Sequence, residues 1–392
     1  MTLNALAKHL FSTYEQYRLD HLTPKNCKHE TIFSELFELV VKSNKLMRLE
    51  ELGSSLEGRS INMVTVGHGH KRVLLWSQMH GDESTATLAL MDIFAFLISR
   101  AAEEKWIGEM FDHLTLHFIP MLNPDGTERV DRRTAVGIDM NRDALDLATP
   151  EARLLREVQR RLKPTFGFNL HDQDLRSVGS SKNVTAIALL APALDEKKTR
   201  PPVRLRAMRV AALIARTLGQ VAHGHLACYD DTFEPRAFGD NMQRWGTSTV
   251  LIESGHWPKD TEKKFIRKLN YVAILSALQA IGTGSYQDVD LDYYTHLPQN
   301  AKRIYDIIVR DVRLRHSNGW SHAADIGLVI DPQLNKNSGS VIVTIEDLGD
   351  LSTFGSLQTI DGAARTVTAD HLPVSQSLPL SDILDILQLP HE

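Results

Sequence analysis

The stretch RVLLWSQMHGDESTATLALMDIFAFLIS, residues 72–99, reads as a strand, a turn and a helix in immediate succession. Residues 72–78 form a short apolar run entered from the turn GHGHK (67–71), the pattern of a buried strand. Residues 84–99 form a long apolar helix with Ser84 or Thr85 at its start. The turn between them carries His80 and Glu83, three residues apart. His-x-x-Glu arises by chance on exposed polar turns. The pair is therefore either half of a metal site or two surface residues, and groups elsewhere in the chain must decide. Gly81 between them is expected to let the backbone turn sharply enough for both side chains to face one ion.

Outward from this unit the alternation continues. INMVTV (61–66), LTLHFIP (114–120), TFGFNL (165–170), VTAIALL (184–190) and TSTVLIE (247–253) read as strands. TPEARLLREVQRRL (149–162) reads as a helix with a Thr cap and proline in its first turn. RLRAMRVAALIARTLG (204–219) and residues 261–281 read as further helices. The fold class expected is α/β, a mixed central sheet flanked by helices. Ligands of such sheets sit outside the carboxyl ends of the strands. That rule points to His80 after the 72–78 strand, His171 after the 165–170 strand, and Glu253 closing the 247–253 strand.

Residues 1–46 read as an N-terminal helical extension packed on a catalytic domain of residues 47–285. Beyond GTGSYQDVDLDYYTHLPQNA (282–301) the pattern shifts to short β-like runs: RIYDIIV (303–309), IGLVI (326–330), GSVIVTI (339–345) and ARTVTA (364–369). With the helix LSDILDIL (380–387) they make a small β-rich C-terminal domain, residues 295–392.

Composition narrows the function. At 392 residues the chain exceeds one ordinary core. Its 42% hydrophobic and 24% charged residues are those of a globular protein. A net charge of -5 without a basic stripe argues against nucleic acid as partner. Two cysteines, Cys27 and Cys228, offer no disulfide framework and no cysteine-rich zinc site. No apolar run is long enough to span a membrane, and the N-terminus carries no signal peptide, so a cytoplasmic location is expected.

A hydrolytic zinc site needs three protein ligands and an open position for water. His80, Glu83 and His171 supply two imidazoles and one carboxylate. At this point the chain resembles the zinc carboxypeptidases, the M14 metallopeptidases. The resemblance rests on six segments in the family's order: EGRSI (57–61), HGDE (80–83), PMLNPDG (120–126), GIDMNRD (137–143), FNLHDQD (168–174) and LIESG (251–255). It covers roughly residues 50 to 280. It implies one Zn2+ per chain bound by His80, Glu83 and His171, and a zinc-bound water activated by Glu253 as general base. It further implies that Asp139 orients a ligand histidine. Asn141 and Arg142 would grip a substrate carboxylate, a task suited to the planar guanidinium fork. Arg132, or its neighbour Arg133, would stabilise the developing oxyanion.

The chain also departs from the family. Glu83 and His171 are 88 residues apart, a shorter interval than in the digestive-type enzymes. It is nearer the deacylase branch, which resembles aspartoacylase and succinylglutamate desuccinylase. The family's mobile tyrosine has no clear counterpart, although Tyr229 lies in that region. The specificity pocket is expected from TFEPRAFGDNMQRWG (232–246), with Arg236, Phe238 and Asp240. Asp143 is placed to modulate the charge of Arg142, and Asp172 and Asp174 stand beside the ligand histidine. The leading expectation is a metallocarboxypeptidase acting on peptides. The alternatives are a deacylase or amidase of N-acyl amino acids or γ-glutamyl and cell-wall peptides, and a non-catalytic binding module.

Overall fold

The computed structural model describes residues 2–330 and 340–390. The chain divides into two compact units. The first comprises Met1–Asp174, Ala186–Gly255 and Asp260–Gln299, and the second Leu175–Thr185, His256–Lys259 and Asn300–Glu392.

In the first unit the apolar runs become an eight-stranded mixed sheet. Its strands are β1 (Met47–Ser54), β2 (Ser60–Gly67), β3 (Lys71–Trp76), β4 (Leu114–Ile119), β5 (Phe166–Asp172), β7 (Ile187–Leu190), β8 (Leu226–Cys228) and β9 (Ser248–Ser254). β6 (Ser177–Val178) belongs to the second unit. The strand order is β1-β2-β4-β3-β5-β9-β7-β8. The four central strands β4, β3, β5 and β9 run parallel. Parallel strands are covered on both faces, which is why these read as nearly continuous apolar runs rather than alternating ones. Every residue of β9 and the last four of β3 are buried. β1 is a half-exposed edge strand hairpinned to β2, so its sequence, MRLEELGS, carried too little apolar pattern to be read.

The helices are α1 (Leu3–Thr13), α2 (His29–Lys42), α3 (Thr85–Arg100), α4 (Lys105–His113), α5 (Pro124–Arg129), α6 (Pro150–Leu162), α7 (Pro202–Leu218), α8 (Phe238–Arg244), α9 (Lys264–Thr283) and α10 (Asp292–Thr295). α3 and α9 pack on each other and are buried on most sides, and α3 is accordingly apolar almost all round. α6 begins as its sequence promised. Pro150 occupies the first turn and the Thr149 hydroxyl accepts from the Ala152 N–H at 3.3 Å. α5 and α8 have only six and seven residues, too short to display a period in sequence. Among the described residues, no single helix is long and apolar enough to cross a membrane.

Residues preceding β1 are fastened by a buried hub. The Asp92 carboxylate on α3 accepts from the Tyr14 hydroxyl at 2.8 Å, the Leu19 N–H at 2.9 Å and Arg267 Nε at 2.6 Å. Arg267, on α9, donates onward to the carbonyl of Leu22 at 2.7 Å.

The second unit is β-rich. β11 (Ile304–Arg315), β12 (Ser321–Ile330) and β13 (Ile342–Gly349) form an antiparallel meander, with β14 (Gly355–Asp361) and β15 (Thr366–Thr368) parallel to β11 and β16 (Ser377–Pro379) on β13. β10 (Asn300–Ala301) pairs with β6. Ile307, Val309, Ile326, Leu328, Val343 and Ile345 line the core, which the helix Leu380–Ile386 caps through Ile383. Gly339, the first residue of the run read as GSVIVTI, lies outside the described residues.

Candidate metal centre

The site is assembled where β3, β5 and β9 end side by side. His171 on β5 is in register with Glu253 on β9, and Trp76, the last residue of β3, with Asn169. All three candidate positions therefore emerge from adjacent parallel strands at one edge.

The turn after β3 is braced on every side. The PMLNPDG segment runs along it: Leu122 N–H donates to Ser77 O at 3.1 Å and Asn123 N–H to Gln78 O at 2.9 Å. Asn123 caps α5 by accepting from Gly126 N–H at 2.9 Å, and its amide donates to Met79 O at 3.2 Å. The expectation for Gly81 is corrected. Its φ is not in the left-handed region; that conformation falls on Gln78, at φ 46°. Gly81 is needed for proximity instead. A Cβ there would lie 2.0 Å from Gly126 C and 2.2 Å from Thr127 N. The glycine of HGDE and the glycine of NPDG thus meet backbone to backbone. EGRSI joins the same scaffold, because the buried Asp125 carboxylate accepts from Ser55 Oγ at 2.7 Å, Glu57 N at 3.0 Å and Arg59 Nη1 at 2.7 Å.

One donor atom each from His80, Glu83 and His171 lies within 4.8 Å of the others, and all three residues are buried. The Nδ1 atoms of His80 and His171 each sit 2.7 Å from a different oxygen of Glu83. His80 Nε2 lies 3.0 Å from Asp139 Oδ1, and Asp139 Oδ2 accepts from Arg132 Nε at 3.1 Å. Arg132 Nη1 is also 3.3 Å from Glu83 Oε1. The Asp172 N–H donates to Glu83 Oε2 at 3.1 Å.

The electrostatics follow from this packing. Burial alone would depress the His80 imidazole, but Glu83 and Asp139 on either side raise it to about 9. His171, with one carboxylate beside it, is depressed by burial. Glu83 resists burial because two imidazoles flank it, and it stays well below the usual carboxylate range. For Glu253, burial and then the charge of Glu83 outweigh the opposing pull of His80 and Arg132 and push its carboxyl well above the ordinary value. Two imidazole nitrogens and a carboxylate in a buried cluster are the donor set of a hydrolytic zinc site. A dication there would replace the positive charge that His80 carries as a proton, so binding would release protons.

The remaining predicted residues divide. Asn141 Oδ1 accepts from the Phe238 N–H at 2.9 Å, tying this loop to α8. Arg142 is partly exposed, with Nη1 donating to Asn141 O at 2.7 Å and Nε 3.4 Å from Glu234 Oε2. Arg133 donates through Nη1 to Gly137 O at 2.9 Å. Asp143 makes its hydrogen bonds away from Arg142. Its buried carboxylate accepts from Ala148 N–H, Thr149 N–H and Thr149 Oγ1, each at 2.8 Å, and anchors the start of α6. Asp172 accepts from Thr85 Oγ1 at 2.5 Å and pairs with Lys263 Nζ at 3.0 Å. In the 232–246 stretch, Phe238 is fully buried, Asp240 is buried, and Arg236 is exposed and paired with Glu234 at 2.8 Å. Sequence reasoning passed over Glu234, Lys263 and Gln78. Glu234 and Lys263 lie among other charges with no periodicity to mark them, and Gln78 was read only as the end of a strand.

A sheet of this order with such a cluster at its strand ends defines a carboxypeptidase-type fold. Residues 33–175 match the model of the zinc carboxypeptidase family, Peptidase_M14. Carboxypeptidase 2 of Trichophyton tonsurans is 30% identical over 117 residues, 29% of this chain and 21% of the relative. Carboxypeptidase SOL1 of Arabidopsis thaliana is 21% identical over 186 residues, 43% of this chain and 38% of the relative. The match therefore spans well under half of either relative. Among solved structures, bovine thrombin-activatable fibrinolysis inhibitor, in complex with tick carboxypeptidase inhibitor, aligns with a TM-score of 0.53 at 12% identity, covering 66% of this chain and 97% of that one. A metallo-carboxypeptidase from Burkholderia cenocepacia aligns with a TM-score of 0.51 at 16% identity, covering 64% and 68%. At these identities the likeness is one of fold.

Proposed function

We propose that the first unit is a zinc-dependent exopeptidase that removes C-terminal residues from peptides, with one zinc ion per chain. The observation that carries this reading is the convergence of two imidazoles and two buried carboxylates at the ends of three adjacent parallel strands. His80, Glu83 and His171 would hold the ion. Bound zinc supplies Lewis acidity, which makes water acidic near neutral pH. Glu253 takes the attacking water's proton on a carboxylate oxygen and returns it to the leaving amine nitrogen. The place of Glu253 supports this role, since it lies in register with His171 on the neighbouring strand. Asp139 fixes the His80 ring through Nε2.

Of the two neighbouring arginines, Arg132 is assigned to the developing oxyanion, because its guanidinium already reaches Glu83 while that of Arg133 is spent on the loop carbonyl of Gly137. Asn141 and Arg142 receive the substrate's terminal carboxylate. Arg142 would exchange its long contact with Glu234 for two shorter charge-assisted bonds.

The 88-residue interval between Glu83 and His171 supports one second reading, hydrolysis of N-acyl amino acids or γ-linked peptides by the same groups. The test compares the zinc-loaded protein on one peptide with a free C-terminus, on its amidated form, and on an acyl amino acid. Strong preference for the free acid is expected. Equal cleavage of acid and amide would sink the exopeptidase reading, and cleavage of the acyl amino acid alone would favour the second.

A further inference from the structure

Gln78 is an odd occupant of its position. It follows β3 by two residues and precedes His80 by two, its side chain is fully buried, and its φ is 46°. An L-residue with a long side chain avoids that region, where glycine or asparagine is the usual choice. Strain of this kind persists where surrounding contacts over-determine it.

The contacts are specific. Gln78 Nε2 donates to Gly81 O at 3.1 Å and to Thr127 Oγ1 at 3.0 Å, so both amide hydrogens are used. Its Oε1 accepts from Cys27 Sγ at 3.6 Å. Gly81 O is the carbonyl lying between His80 and Glu83 in the chain. The residues after Cys27 hold the far side of the same brace. Lys28 Nζ donates to Thr127 O at 3.3 Å and Glu128 O at 2.7 Å, and His29 N–H donates to Glu128 Oε1 at 2.8 Å. α5, thus held, is the segment whose Gly126 abuts Gly81.

We infer that Gln78 is a positioning residue for the metal centre, clamping the His80–Glu83 turn against α5, with Cys27 as its outer partner. The inference rests on the zinc reading above. A clamp on the peptide between two ligands fixes their mutual geometry before the ion arrives, and partners one bond removed from the ligands commonly govern affinity.

The test uses the full chain with Gln78→Gly and Gln78→Asn. Both substitutions accept the left-handed backbone, so neither adds strain, and neither side chain spans the distance to Gly81 O and Thr127 Oγ1 together. Zinc affinity is measured by competition with a chromogenic chelator, beside the melting temperature of the zinc-free protein. The expected result is an affinity weaker by about tenfold, beyond any fall in the zinc-free melting temperature from the lost buried contacts, with kcat lowered and KM retained at saturating zinc. Cys27→Ser, which keeps a donor towards Oε1, should stay nearer the parent than either Gln78 variant. Parent-like zinc affinity in both Gln78 variants overturns the inference, as does a loss confined to melting temperature. Failure of the parent itself to bind zinc overturns the metal-centre reading instead, and the inference with it.

Discussion

Removing the Asp92 carboxylate tests how the N-terminal residues are held to the sheet domain. Asp92 is fully buried and Arg267 nearly so. Four donors converge on this one side chain: Tyr14 Oη, Leu19 N, and both Nε and Nη2 of Arg267. In Asp92→Ala the guanidinium keeps only the carbonyls of Leu22 and Leu19, and its charge remains in the interior. Stranding one member of a buried pair costs about 3–5 kcal/mol. For a unit this large that lowers the melting midpoint by on the order of 10 °C. Burial pushes the Asp92 carboxyl above its ordinary range in spite of Arg267, which marks desolvation as the larger effect. Removing both charges together should therefore be far better tolerated than removing one. The assay is urea unfolding followed by tryptophan fluorescence, in which the fully buried Trp76 reports on the sheet. It would be run on Asp92→Ala, Arg267→Met and the double variant. A loss below about 1 kcal/mol in Asp92→Ala, or a double variant no more stable than either single one, would refute the reasoning.

Glu253→Gln should retain zinc, since Glu253 lies outside the ligand cluster, while kcat falls by about 10²–10⁴-fold; a parent-like rate would remove Glu253 from the mechanism. Gly81→Ala puts a methyl 2.0 Å from Gly126 C, so the turn must shift and zinc affinity should fall; an unchanged chelator competition curve would contradict the backbone-contact account. Burial pushes the Asp240 carboxyl up to about 7, above its unfolded value, so the folded state binds the extra proton and stability falls as pH rises between about 4 and 7. Asp240→Asn should flatten that slope, with a gain of at most about 4 kcal/mol at pH 8; equal effects at pH 5 and pH 8 in urea unfolding would show that Asp240 does not titrate across this window.

What the sequence could disclose was set by how local each signal is. β3, β5 and β9 were legible because a parallel strand buried on both faces must be a continuous apolar run, and the position just beyond each run is where a ligand group belongs. His80, His171 and Glu253 are polar residues placed against that expectation. Edge strand β1 lacked such a run, while α5 and α8 were shorter than two helical turns plus a cap. Less legible were residues whose partner is not their immediate neighbour in the chain. Asp143 stands next to Arg142, yet its carboxylate serves Thr149, because a helix start with unsatisfied N–H groups is a stronger attractor than a neighbouring exposed cation.

Gly81 shows the same ambiguity in sharper form. A glycine announces either a left-handed turn or a close backbone approach, and one sequence cannot separate the two. Here they fall on different residues: the approach on Gly81, the left-handed turn on Gln78. At Gln78 the left-handed backbone coincides with a fully buried, hydrogen-bonded side chain. Its contacts run to Gly81 and Thr127, so the brace of the turn is encoded by the very residue whose identity conceals it.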